Sequence, residues 1–168
     1  MRTITVVILL ISMISCGTSQ VLKKDFTQFY NTHEDDEGVV SFQIPIALAR
    51  MIIKDEDQEA DDFLKKMDKI RFFIKEHDNG QYKRTVQNYL PESVYNDLMI
   101  VKDNGSTVMF KMKEPKDGHI REIVMTVTDP DSFVAVSFIG NFTLEDAKHM
   151  TSSIKTDDFG GLNFNMEN

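Results

Sequence analysis

The side chains able to do chemistry are scattered through this chain rather than gathered. Four histidines, His33, His77, His119 and His149, are widely separated, and none is spaced from a Glu or Cys as a zinc-binding pair would be. They read as surface residues. The acidic run Asp55–Asp62 is the sharpest candidate for a cation site, since clustered carboxylates suit Ca²⁺, but Ala60 stands where an EF-hand loop needs glycine. A solvated charge run accounts for it better. Asp129 and Asp131 could be an acid and a base; flanking Pro130 between two strand patterns, they read as turn formers. No glycine-rich phosphate loop and no Gly-x-Ser-x-Gly elbow occurs, so nucleotide binding and serine hydrolysis have no support. No cofactor, metal or catalytic residue is expected.

The remaining reactive group is Cys16, the one cysteine in the chain. Ahead of it, residues 1–15 carry Arg2 and then the apolar run Val6–Ile11, which suits a secretory signal and is too short to span a bilayer. Met13-Ile14-Ser15-Cys16 resembles the bacterial lipoprotein signal, in which the cysteine is lipidated and becomes the first residue; Met13 stands where Leu is commoner. The alternative is an ordinary signal peptide with Cys16 as a bystander or free thiol. A lone cysteine cannot form an internal disulfide, which favours lipidation. Acyl chains would then hold the domain at a membrane, each buried CH₂ contributing about 0.8 kcal/mol. The tether, residues 16–25, is short: roughly ten residues reach at most about 35 Å. It lacks an acidic cluster of the kind associated with outer-surface display, so the expected location is the bacterial envelope, at the outer membrane facing the periplasm.

The 168-residue chain has a net charge of −8, and every acidic residue follows residue 15, so removing Arg2 with the signal makes the remainder more negative still. Binding to nucleic acid or anionic headgroups by net charge is excluded.

The elements are organised around Asp97–Phe142, which alternates apolar and polar residues between turn signals and reads as an antiparallel meander. A turn at Asp129–Ser132 pairs Val127 with Val134, Met125 with Val136 and Ile123 with Phe138; one at Asp103–Ser106 pairs Val101 with Val108 and Met99 with Phe110. One face is apolar throughout. The other is mixed, with Met109, Val124, Phe133 and Ile139 among polar neighbours.

Upstream, Phe26, Phe29 and Tyr30 have helical spacing, Val39–Ile44 reads as a strand, and Pro45 opens a helix over Ile46–Ile53. That β-to-α step makes Ile70–Glu76 a candidate parallel neighbour of the first strand. Tyr82, Val86, Tyr89 and Leu90 mark another helix; Pro91 suggests a break or a restart as a first-turn proline, with Val94, Tyr95 and Leu98 continuing the buried side, and Thr143 caps a last helix. The expected fold is α+β, a two-layer sandwich of about six mostly antiparallel strands with helices packed on one face. It forms a single domain over residues 26–157, followed by a disordered tail at 158–168.

The chain resembles a family of small Bacteroidetes lipoproteins known as domain of unknown function 4252. The resemblance lies in Cys16, Ile44–Met51, the Val101–Gly105 turn and above all Asp129–Asp146, including Phe133-Val134-Ala135-Val136 and Gly140-Asn141-Phe142-Thr143-Leu144-Glu145-Asp146. These motifs are structural, and the resemblance implies no catalytic residue. Some relatives look to be encoded near extracytoplasmic-function sigma factors, which implies a part in envelope signalling or stress response.

The expected function is that of a non-catalytic, membrane-tethered interaction module with an envelope protein partner. Met109, Val124, Phe133 and Ile139 are its candidate surface, unless Phe26, Phe29 and Tyr30 cover them. The alternative is a small-ligand sensor with a pocket lined by Tyr82, Tyr89 and Tyr95.

Overall fold

The computed structural model describes residues 24–52, 58–103, 105–113 and 117–153. The signal at residues 1–15, Cys16 with most of its tether, Asp55–Asp57 of the acidic run, and the tail at 158–168 lie outside the described residues.

The elements in chain order are α1 (Phe26–His33), β1 (Val39–Pro45), α2 (Ile46–Ile52), α3 (Gln58–Lys65), β2 (Met67–Glu76), α4 (Gln81–Gln87), β3 (Tyr95–Asp103), β4 (Ser106–Lys113), β5 (Ile120–Thr128), β6 (Ser132–Phe142) and α5 (Leu144–Ser153). The six strands form one sheet in the order β1-β2-β6-β5-β4-β3, with every neighbouring pair antiparallel. The α+β architecture expected from the meander is the one the chain adopts.

Local chemistry sets the meander. Asp129 receives the hydroxyls of Ser132 (3.1 Å) and Ser106 on its carboxylate, and its N–H donates to the Ser132 carbonyl at 3.0 Å, which closes the β5–β6 turn. Val127 then faces Val134, Met125 faces Val136 and Ile123 faces Phe138. Gly105, at φ +90, makes the β3–β4 turn that pairs Val101 with Val108 and Met99 with Phe110. The expected registers hold in both hairpins.

One connection differs from expectation. β1 and β2 are antiparallel, with Val39 opposite Lys75 and Pro45 opposite Lys69. A parallel crossover needs one helix that runs back along the strand, but β1 spans about 23 Å while α2 and α3 reach only about 10 and 12 Å each. The two short helices therefore go out and return to the same end of the sheet. The chain breaks before Pro91, as one of the two expectations had it, and no helix restarts there. The Pro91 carbonyl accepts from the N–H groups of Val94 and Tyr95 in a single turn, and Tyr95 opens β3 instead.

Helices occupy both faces. On the mixed face, α1 and α4 bury Phe26, Phe29, Tyr30, Tyr82 and Val86 against Phe73, Val124, Phe133 and Ala135. On the uniformly apolar face, Leu64 of α3 and Ala147 and Met150 of α5 pack with Phe110, Ile123, Val136 and Phe142. A sheet whose two faces are both apolar at the centre needs cover on both, and this chain divides its helices accordingly.

The Gly140–Asp146 segment shows why its residue types are needed. A Cβ at Gly140 would overlap the Lys66 carbonyl oxygen and crowd Met67 Cα at 2.9 Å, where the chain entering β2 crosses β6. Asn141 N–H donates to that same carbonyl at 2.8 Å. Thr143 caps α5: its hydroxyl accepts from Asp146 N–H at 3.2 Å, while the Asp146 carboxylate accepts from Thr143 N–H at 2.8 Å, a reciprocal capping box.

Candidate interaction surface

The most concentrated polar chemistry lies beneath α1 and is structural. Glu122 is buried; its carboxyl receives the Tyr95 hydroxyl at 2.8 Å and the Ser137 hydroxyl at 2.6 Å. The Tyr95 oxygen in turn accepts the N–H of Phe26 at 3.0 Å, satisfying one of the donors that a helix start leaves open. Burial, then the Glu122 carboxyl beside it, pushes the Tyr95 hydroxyl far up, so it stays a donor at all ordinary pH. Arg71 adds a hydrogen bond to the Thr27 hydroxyl (2.9 Å) and lies 5.5 Å from the Tyr30 ring centroid. Lys113 pairs with Asp25 at 2.9 Å. The network docks the start of α1 to the sheet.

A second cluster closes the other end of α1. His33 Nδ1 and the Tyr82 hydroxyl meet one Asp36 carboxylate oxygen at 2.7 and 2.8 Å, and the imidazole sits against the Phe29, Tyr82 and Tyr89 rings at 5.1 to 6.3 Å. The hydrogen bonds from His33 and Tyr82 hold the Asp36 carboxyl below the usual range. Burial and then the bond to Asp36 push Tyr82 up to about 12. Both shifts favour the state that ties the loop after α1 to α4. A carboxylate whose pKa is lowered is a poor base, and a tyrosine whose pKa is raised is a poor nucleophile near neutral pH. Among the described residues, no group of three or more His, Cys, Asp or Glu is placed to hold a metal ion.

The four residues expected to form a partner surface do not form one. Val124 and Phe133 are 0% exposed, packed under α1 and α4, while Met109 and Ile139 are half-buried. The cover is the aromatic face of Phe26, Phe29 and Tyr30 on α1, joined by Tyr82 and Val86 of α4. The tyrosines named for a ligand pocket divide similarly: Tyr82 and Tyr95 are core, and Tyr89 packs beside them. A shallow recess of about 60 Å³ between α4 and β4–β5, lined by Val86, Met109, Thr126 and Phe133 among others, holds no more than a few water molecules.

Of the exposed large apolar residues, Ile100 on β3 and Leu144 at the start of α5 stand apart, and two lie at or next to the β1 edge. Phe42 of β1 is 40% exposed and stacks on Phe72 of β2, with centroids 4.7 Å apart and planes 15° apart. Around it Val40, Ile44, Ile70, Val134 and Phe138 are only half-buried. Leu48 of α2, which follows β1 directly, is 53% exposed. α5 lies over β6 and β3, while α2 and α3 lie mainly against β1 and β2, and Phe42 on β1 stays part-exposed. The alternation Val40, Phe42, Ile44 is legible in the sequence, but nothing local says that β1 ends the sheet.

The two edges are built differently. β3 carries Asp97 and Lys102 and a register shift between Asp97 and Met99, devices that discourage further pairing. β1, Val-Val-Ser-Phe-Gln-Ile-Pro, has no charged residue, and its register with β2 runs unbroken.

No curated protein and no solved structure matches this chain. The model of one family, described as a domain of unknown function (DUF4252), matches residues 30–150, a span that runs from the end of α1 through the whole sheet into α5. The chain therefore belongs to the DUF4252 family.

Proposed function

We propose that this protein is a lipid-anchored envelope domain that acts without catalysis, binding a protein partner through the open apolar margin around Phe42, Phe72 and Leu48. The observation that carries the reading is the part-exposed Phe42–Phe72 stack at an uncharged edge strand, with Leu48 exposed on the helix that follows that strand in the chain. Exposed aromatic and aliphatic side chains that are contiguous, rather than scattered singly, are the usual mark of a protein contact. The acidic run Asp55–Asp62 follows α2 in the chain, and the whole carries a charge of −8, so the fitting partner presents an apolar anchor flanked by basic residues. The anchor is Cys16, supported by the lipoprotein-like signal before it. Its short tether keeps this surface close to the bilayer, facing the periplasm, where a role in envelope signalling fits. The test is proximity crosslinking in the native envelope with three chains: unaltered, Cys16→Ala and Phe42→Asp. A specific protein recovered with the first and lost with both variants is the expected result. Recovery undiminished by Phe42→Asp would reject this surface.

A further inference from the structure

Among the described residues β1 has no strand on its outer side, and its edge carries neither the charges nor the register shift that guard β3. Its sequence is also self-complementary about Phe42. In an antiparallel pairing of two copies centred there, Phe42 faces Phe42 of the second copy, Val40 faces Ile44 and Ser41 faces Gln43. Apolar then meets apolar on one face and polar meets polar on the other. Moving the centre to Ser41 or Gln43 keeps the faces but shortens the pairing from the seven residues Val39–Pro45 to Val39–Gln43 or Ser41–Pro45. We infer that two copies of this chain pair through their β1 edges, antiparallel and centred on Phe42, joining the six strands of each into one continuous sheet.

The backbone groups suffice in either phase of the ladder. Pro45 has no N–H, and the Val39 N–H already donates to the Asp36 carbonyl at 3.1 Å. The pairing therefore gains about six hydrogen bonds if Val40, Phe42 and Ile44 turn their backbone groups outward, and about four if Ser41 and Gln43 do. Charge favours the antiparallel sense. Exposed Asp35 and Glu37 stand before β1, while Lys69, opposite Pro45, and exposed Arg50 lie at its far end. The two-fold axis sets the acidic turn of each copy toward the basic end of the other, which offsets part of the repulsion between two chains of charge −8. The contact closes on itself and stops at two copies. Its axis is perpendicular to the sheet, so both α1 helices, with the described chain starting beside them at Lys24, stay on one side. On the reading that Cys16 carries the anchor, both copies reach the same bilayer, and their Phe42–Phe72 stacks merge on the opposite face into a doubled surface for a partner. Seven residues a side is well below the about 20–30 of a standard interface, so the pairing is weak in solution and is strengthened by confinement at a membrane.

The test uses the full chain with Cys16→Ala and no partner present. Sedimentation should show a monomer–dimer equilibrium with a midpoint between about 10 μM and about 1 mM, the range a contact of this size gives. Val40→Cys and Ile44→Cys, made in separate chains on that background, read the register. The two new thiols face each other across the pairing, so under mild oxidation the mixture should form bridged dimers at least about tenfold faster than either chain alone. Neither substitution touches Phe42, Phe72 or Leu48, so failure here is distinguishable from failure of the partner test. A chain that stays monomeric to about 1 mM would overturn the inference, as would a dimer that bridges no faster in the mixture than in one chain alone. Slow exchange of the outward β1 amides in the monomer would also overturn it and indicate that another segment of the same chain occupies the edge.

Discussion

Removing one oxygen atom, by Tyr95→Phe, tests whether the start of α1 is held as the geometry indicates. The Tyr95 hydroxyl makes two buried contacts at once, accepting from Phe26 N–H at 3.0 Å and donating to Glu122 at 2.8 Å. The ring itself packs in the core and stays in phenylalanine. The variant leaves a helix N–H orphaned at a fully buried residue, costing about 1–3 kcal/mol, and removes one of the two hydroxyls on a buried carboxyl, costing about 1.5–3 kcal/mol more. The sum, about 2.5–6 kcal/mol, is a large part of the 5–15 kcal/mol typical of a whole domain. With a urea slope of about 2 kcal/mol/M, the unfolding midpoint should fall by roughly 2 M. Exchange at the α1 amides should rise more than at β4 and β5, since the break lies at the α1 docking point. Glu122→Gln supplies the second arm of a double-mutant cycle, and a coupling of about 1 kcal/mol or more is expected between two groups in contact. A midpoint shift below about 0.5 M, or additive effects, would refute the claim that this network holds α1 to the sheet.

The tyrosines can be read directly by ultraviolet absorbance. In the native protein Tyr82 should ionise near pH 12 and Tyr95 higher still, against about 10 for an unfolded tyrosine. Because the native pKa is raised, that stabilisation is complete below pH 10 and lost as pH rises from 10 through 12, so alkaline unfolding should coincide with the Tyr82 step. Gly140→Ala should destabilise by about 2–4 kcal/mol in urea or leave the chain unfolded, because the new methyl meets backbone rather than a yielding side chain; a cost below about 0.5 kcal/mol would refute the close approach. Asp146→Ala should cost about 1–2 kcal/mol through loss of the capping box and its ion pair with Lys66. Burial opposes the charged form of Asp146, but Lys66 and Thr143 outweigh it and lower its pKa, so this stabilisation is present above the unfolded value and lost as pH falls through the native one. The variant should therefore show a weaker dependence of stability on pH in the acid range.

What the amino-acid sequence by itself determined is the part of this protein governed by neighbours along the chain. The meander registers follow from turn residues at Asp103–Ser106 and Asp129–Ser132 together with two-residue alternation, because a hairpin's register is set once its turn is set. The α1 stripe and the Thr143 cap are local in the same way. Tertiary structure decided everything that depends on which elements meet across long separations. It paired β1 with β2 antiparallel, put α1 and α4 over Val124 and Phe133, and assembled Tyr95, Glu122 and Ser137 beneath Phe26, residues far apart in number whose partnership no spacing rule encodes. It also decided the candidate surface. Both faces of the sheet are apolar at their centres, so alternation could identify where cover was needed but not where it would be withheld; that followed only when the helices were placed and β1 was left at the edge with Phe42 exposed.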